Sequence, residues 1–240
     1  MSTRKISFAP GSFYHVYNRG TDKRVIFKDI EDYNRFTQLL YICNSNKAID
    51  IRSVLRSGTP LFEYDRGNQL VSIGAYCLMP NHFHLLISPI ADTGMSTFMN
   101  KLGTSYSMYF NKKYDRSGGL FEGPFKATIA DSDTYLKYLF SYIHLNPVKL
   151  IQSDWKESGI KNVTETLLYL QTYRHSSFQD YDILLNNSGK QAFEYPIFTH
   201  RKETNILNIE IFPEYFKTHT DFQKEILDWI TFNPATSCEG

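Results

Sequence analysis

The amino-acid sequence predicts an α+β protein: a ferredoxin-like β-α-β-β-α-β antiparallel sheet with helices on one face, plus a mostly helical or irregular C-terminal extension. Three observations predict it. Strand-like and helix-like segments follow one another in that order. Only Pro80-Asn81 separates the two central strand segments, and so short a link forces antiparallel pairing. The 240 residues are 42% hydrophobic and 21% charged, a composition that supports a packed core.

Each element carries its own signal. Residues 12–19 are aromatic and β-branched and end at Gly20, the pattern of a strand. Alternation puts Phe13, His15, Tyr17 and Arg19 on one face and Tyr14, Val16 and Asn18 on the other. Asp29 is placed to cap a helix running to about Cys43, with Tyr33, Phe36, Leu39, Leu40 and Cys43 as its apolar stripe. Residues 44–68 hold Gly58, Pro60 and Gly67 and read as a short strand or two with a loop. Residues 70–79 and 82–88 are the hairpin strands. Residues 96–114 read as a helix, which Gly118-Gly119 stops, and residues 120–130 supply a fourth strand kinked near Gly123-Pro124. Asp131 or Ser132 caps the next helix. It ends at Asn146-Pro147, since proline pushes the preceding residue out of the α region. The expected boundary lies at 150: residues 1–150 form the sheet domain and 151–240 the extension, with helices near 161–173 and 222–230.

Several classes are excluded. No apolar stretch approaches the roughly 18 residues of a membrane helix, and residues 1–9, polar and without an apolar segment, are not expected to act as a signal peptide. Three widely spaced cysteines, Cys43, Cys77 and Cys238, indicate neither a disulfide framework nor a zinc site. A reducing cytoplasm is the expected location.

The near-zero net charge of +1 hides an asymmetry. Residues 1–28 carry six basic groups against one acidic, residues 101–149 seven against four, and residues 151–240 eight against thirteen. A polyanion is therefore expected to meet the N-terminal and middle segments. Asn18, Arg19, Lys23 and Arg24 form a basic loop after the first strand. Lys112 and Lys113 close the second helix, and Lys126 lies on the fourth strand. These residues suit phosphate contacts, and Tyr14, Tyr17, Phe121 or Phe125 could stack unpaired bases. The plainer alternative is that most of these aromatics belong to the core.

The strongest local feature is the run from Pro80 to Ile87. His82 and His84 are i and i+2 on a strand, so they share one face roughly 6.5–7 Å apart at Cα. Both can offer an imidazole nitrogen to one divalent metal, while Phe83, Leu85 and Ile87 bury on the other face. Two such histidines also occur as simple hydrogen-bonding partners. Their place in an otherwise apolar strand argues for a purpose. A third ligand must come from another element. On the last helix Tyr142 and Asn146 stack one turn apart. Asn146 can supply an amide oxygen and Tyr142 a phenol. Tyr142 as a half-buried packing residue, and His144 as the ligand instead, are the competing readings.

Taken together, the motifs resemble the single-tyrosine HUH transposases, and most closely the REP-associated tyrosine transposase branch of the IS200-like group. Residues 14–20, 27–36, 75–87, 142–148 and 173–181 carry the resemblance, in order, with Met79-Pro80-Asn81-His82-Phe83-His84 and Tyr142-Ile143-His144-Leu145-Asn146-Pro147 as its most specific parts. It covers about residues 10–181. Two departures are Pro124, where basic or polar residues are usual, and the long segment 44–68.

The resemblance implies that His82, His84 and Asn146 bind Mg²⁺ or Mn²⁺ and that Tyr142 is the nucleophile. It also implies single-stranded, hairpin-forming DNA as substrate, and relatives that are monomers or homodimers. Metal on a non-bridging phosphate oxygen withdraws charge and fixes the phosphate for in-line attack. The tyrosine would form a 5′-phosphotyrosine that stores the bond energy for rejoining. A phenol of pKa about 10 needs help to attack, and the sequence names no base. A relaxase-like or replication-initiator nickase shares this chemistry. A catalytically retired protein that binds palindromes is the alternative of another class.

Overall fold

The computed structural model describes residues 7–186 and 201–231. Four strands, β1 (Phe13–Arg19), β2 (Val71–Met79), β3 (His82–Pro89) and β4 (Lys126–Ala130), form one sheet in the order β2-β3-β1-β4. All neighbouring strands are antiparallel. With α1 (Ile30–Ile42) and α3 (Gly94–Lys113) between the strands, this is the predicted ferredoxin-like order.

The period-2 alternation of the strands divides the core in two. Tyr14, Val16, Phe83, Leu85 and Ile87 bury against α1 and α3 with Phe36, Leu39, Leu40, Met99 and Leu102. The opposite face is covered as well. There Ala75, Cys77, Met79 and Leu86 meet Leu136, Leu139, Phe140 and Ile143 of α4 (Asp133–Leu145). Trp155 of α5 (Trp155–Ser158), Leu170 of α6 (Val163–Thr172), Phe178 of α7 (Phe178–Asn186) and Phe222 of α8 (His219–Thr231) complete this second core. Residues on both sides of position 150 therefore build it.

A register shift at Gly74 sets the faces of β2. Ile73 pairs with Ile87, but Ala75 pairs with Leu86, so residues 75, 77 and 79 turn toward α4. The outer edge of β2 is closed by the extension. Leu78 N–H donates to His175 C=O at 2.8 Å, Ser177 N–H to Tyr76 C=O at 3.0 Å, and Asn208 N–H to Ile73 C=O at 2.9 Å. These bonds satisfy groups that an exposed edge would leave open.

Three expectations need correction. Residues 44–68 hold no strand. They contain α2 (Ile51–Arg56), capped by Asp50, and a 3-10 turn over Leu61–Glu63. The fourth strand is only Lys126–Ala130, because Gly123 at φ 133° and Pro124 break pairing before it. Ahead of that break only a single bridge, Gly20 to Phe121, pairs this segment. Asn146 keeps α-helical angles (φ −52°, ψ −39°) despite Pro147, and the chain tightens into a 3-10 turn over Asn146–Leu150. The caps hold: Asp29 accepts from Asp32 N–H, and Ser132, not Asp131, accepts from Tyr135 N–H. Cys43 and Cys77 are buried free thiols. Cys238 lies outside the described residues. No helix among the described residues is long and apolar enough to cross a membrane.

Candidate active site

The β3 register brings a polar row onto the face covered by α4. Arg19 lies opposite His82, and Tyr17 lies between His84 and Lys126. The His82 and His84 rings are 5.0 Å apart and edge-on. The hairpin turn orients His82. Asn81 Nδ2 donates to Lys23 C=O at 3.1 Å, which turns Asn81 Oδ1 toward His82 Nδ1 at 2.6 Å. An amide oxygen only accepts, so His82 Nδ1 carries the proton and Nε2 presents a lone pair.

His84 has a neighbour that the sequence reading did not select. His15 Nε2 lies 2.8 Å from His84 Nδ1, with the rings stacked at 5.0 Å. Both are nearly buried, at 7% and 6% exposure. Burial lowers His15 to about pKa 4, helped by Lys156. Burial lowers His82 to about 4 as well, with Lys149, Arg19 and Lys156 adding to it. His84 falls well below its ordinary value through burial and then through His15, His82 and Lys156. All three rings are thus neutral near pH 7.

The α4 helix places Tyr142 over these rings. The phenol ring sits edge-on to both His15 and His84, 5.6 Å from each. Burial raises the Tyr142 pKa, opposed by a hydrogen bond from the Asn146 side chain and by the charge of Lys149. Asn146 is 6% exposed, and its Nδ2 donates to Tyr142 C=O at 2.7 Å. That leaves Asn146 Oδ1 as a donor oxygen. Lys156, also absent from the sequence reading, holds Nζ 4.4 Å from the centre of the Tyr142 ring. Burial lowers the Lys156 pKa, and Glu157 partly restores it.

His144 is not part of this cluster. It is fully buried, its Nδ1 bonded to Phe140 C=O at 2.8 Å and its Nε2 to Ser177 Oγ at 2.7 Å. Among the described residues, no three His, Cys, Asp or Glu side chains are grouped to hold a metal ion. An ion at His82 and His84 therefore needs a ligand of another type, and the Asn146 amide oxygen is of that type. Neutral imidazoles and an amide oxygen fit a divalent ion chemically.

The other selected residues scatter. Arg19 pairs with Glu122 at 3.0 Å, and Arg24 reaches Thr21 C=O and Asp22. Lys23 is exposed beside the hairpin turn, and Lys126 is exposed in the row of Tyr17 and His84. Asn18 points to the other face and donates to Gly123 C=O at 3.0 Å. Lys112 is exposed at the far end of α3, while Lys113 Nζ is held by Asp29, Glu31 and Asp32 at 2.7, 3.1 and 3.0 Å. Tyr14 is 1% exposed and belongs to the core.

Residues 61–146 match the family model described as Transposase IS200 like. The matched segment includes His82, His84, Tyr142 and Asn146, and stops short of Lys156. Among solved structures, the chain is similar to a REP-associated tyrosine transposase bound to a REP hairpin. The TM-score is 0.44 at 11% identity, over 84% of this chain and 94% of that one. No curated protein matches the chain.

Proposed function

We propose that this protein is a metal-dependent DNA transposase. It cleaves and rejoins single-stranded, hairpin-forming DNA through a 5′-phosphotyrosine on Tyr142. One observation carries the reading: the Tyr142 ring stands edge-on against the buried His84, in the same cluster as His82. The IS200-like match over that segment supports it. His82, His84 and Asn146 would hold Mg²⁺ or Mn²⁺, which when bound supplies charge withdrawal from a non-bridging phosphate oxygen.

The chain's own residues do the rest. Tyr142 Oη attacks phosphorus, the bond to the departing 3′ oxygen breaks, and the phenol proton is balanced by protonation of that oxygen. The reverse attack by a 3′-hydroxyl rejoins DNA without ATP, because the phosphoester bond is conserved. The Lys156 ammonium offsets negative charge on the phenol oxygen and the phosphate. Arg19 and Lys126 flank the histidines and suit the DNA backbone, with Lys23 and Arg24 extending that edge. Asn18, Lys112 and Lys113 would act farther away, the last only after release from its carboxylates. Residues 1–150 carry the chemistry. The described residues beyond 150 help cover the second sheet face and lend Lys156. The protein would act in the cytoplasm as a monomer or homodimer.

The test is a labelled single-stranded hairpin oligonucleotide incubated with the protein and Mn²⁺, then run on a denaturing gel. The expected covalent adduct vanishes in Tyr142→Phe and weakens strongly in His82→Ala. An adduct that survives Tyr142→Phe but is lost in Tyr138→Phe assigns the chemistry to the neighbouring tyrosine, whose ring is 5.7 Å away. Hairpin binding with no adduct in any metal points instead to a non-catalytic DNA-binding protein.

A further inference from the structure

We infer that His15 is a positioning residue for His84: its Nε2 accepts the His84 Nδ1 proton and so aims the His84 Nε2 lone pair at the metal. The inference rests on the metal reading above and goes beyond it, since His15 lies on β1, outside the matched segment.

The argument starts from the short contact between two ring nitrogens. His15 Nε2 and His84 Nδ1 are 2.8 Å apart, a hydrogen bond with one proton between them. Two arrangements are open to a neutral pair. In one, His15 donates, His84 Nδ1 accepts, and the His84 proton sits on Nε2. That nitrogen then has no lone pair to offer. In the other, His84 donates from Nδ1, and Nε2 is a ligand. Only the second is compatible with His84 as a metal ligand. A metal-bound imidazole ordinarily gives its second N–H to an acceptor that fixes the ring and raises its basicity.

The surroundings hold that contact in place. His15 lies opposite Leu86 in the β1–β3 register, on the same face as His84, and Tyr17 lies directly opposite His84. The His15 ring is 5.1 Å from the Tyr17 ring and 5.6 Å from Tyr142. Packed on these sides and 7% exposed, it has little room to rotate away. His82 obtains the same service from a different group, the Asn81 amide oxygen at 2.6 Å. The two ligands thus share one design: Nδ1 is bonded to an acceptor within the fold and Nε2 is left to the ion. The facing nitrogens also explain why His15 is not itself a third ligand through Nε2, which already serves His84.

The experiment uses the full chain with uniformly ¹⁵N-labelled histidine and Mn²⁺ or Mg²⁺ as the probe. Long-range ¹H–¹⁵N correlation of the metal-free and Mg²⁺-loaded protein reads each tautomer. His84 protonated at Nδ1 is expected; His84 protonated at Nε2 in both states overturns the inference and needs no variant. Mn²⁺ affinity, read by electron paramagnetic resonance of the free ion, gives the second arm. His15→Leu is expected to weaken it roughly 10- to 100-fold. His15→Gln, whose Oε1 can accept from His84, is expected to recover most of the loss. Unchanged affinity in His15→Leu, beside a loss in His84→Ala, removes His15 from the role and leaves the metal site standing. Wild-type protein that takes up no Mn²⁺, or takes it up equally after His84→Ala, overturns the metal reading and this inference with it.

Discussion

The Asn146 side chain takes over the Tyr142 carbonyl that the helix backbone abandons. At the end of α4 the Asn146 N–H turns to Ile143 C=O, a tightened 3-10 bond, and Nδ2 donates to Tyr142 C=O at 2.7 Å. The amide is therefore fixed by the same turn that carries the phenol. Pro147, which has no N–H, is where the α ladder has to give way. One sequence feature thus orients both a proposed ligand and the proposed nucleophile. Asn146→Ala is expected to cut covalent adduct formation at least about tenfold in single-turnover gels, while lowering stability by only about 1 kcal/mol in denaturant unfolding. A loss of activity matched by global unfolding would make Asn146 a structural cap alone.

Lys156 leads to a prediction of opposite signs. Its ammonium lies 4.4 Å from the Tyr142 ring centre and depresses the protonation of His15, His82 and His84. A cation there favours a developing phenolate but repels a divalent ion. Lys156→Ala is expected to slow adduct formation about tenfold or more and, at the same time, to tighten Mn²⁺ binding. Parallel losses in both measurements would show that the lysine merely supports the packing of α5.

Much of this site could be read from the sequence, and the reasons are local. The HFH alternation on β3 and the i, i+4 spacing of Tyr142 and Asn146 follow from strand and helix periods, which need no tertiary knowledge. Alternation puts His15 on the same face of β1 as Tyr17, but its partner across the sheet depends on register, which alternation alone does not give. Lys156 was out of reach because a short helix after a proline turn has no periodicity to orient it. The sequence marks the helices of the second sheet face but not the side they cover, for a related reason. Leu136, Leu139, Phe140 and Ile143 reveal an apolar stripe, but not which side of the sheet it meets. The strand expected within residues 44–68 failed because Gly58 and Pro60 mark breaks without saying what lies between them.

Gly74 marks where the extension docks. A Cβ built there would lie 2.7 Å from the Phe212 ring, which packs over the shift in β2. The ring is held by Phe13 and Phe140, at 5.0 and 5.9 Å, so it has no easy escape. Gly74→Ala is expected to destabilise the protein by about 1–3 kcal/mol through overpacking, read as a lower denaturant midpoint. Gly103→Ala is the control. No atom lies within 4 Å of its added Cβ, and its place inside α3 predicts neutral or slightly raised stability. Equal effects at the two positions would contradict the docking role of Phe212.

Stability should fall in mild acid because His144 is buried neutral. Burial lowers its pKa to about 3, against an ordinary value of 6.5, with only the Phe140 carbonyl opposing. Its Nδ1 donates to that carbonyl, so Nε2 accepts the Ser177 hydroxyl, whose oxygen in turn accepts from Tyr76 N–H at 2.9 Å. Protonation of Nε2 would break this chain linking α4, the turn just before α7, and β2. Below pH 6.5 the unfolded chain binds a proton that the folded one does not, so folding weakens as pH falls from 6.5 toward 3. The slope for one such group is about 1.4 kcal/mol per pH unit. His175, lowered to about 4 by burial and by Arg201 and Arg174, adds in the same direction. Denaturant midpoints measured between pH 7.5 and 4.5 are expected to drop, and the drop should be shallower in His144→Gln even if that variant starts less stable. An unchanged slope in His144→Gln would assign the acid sensitivity to the other buried histidines.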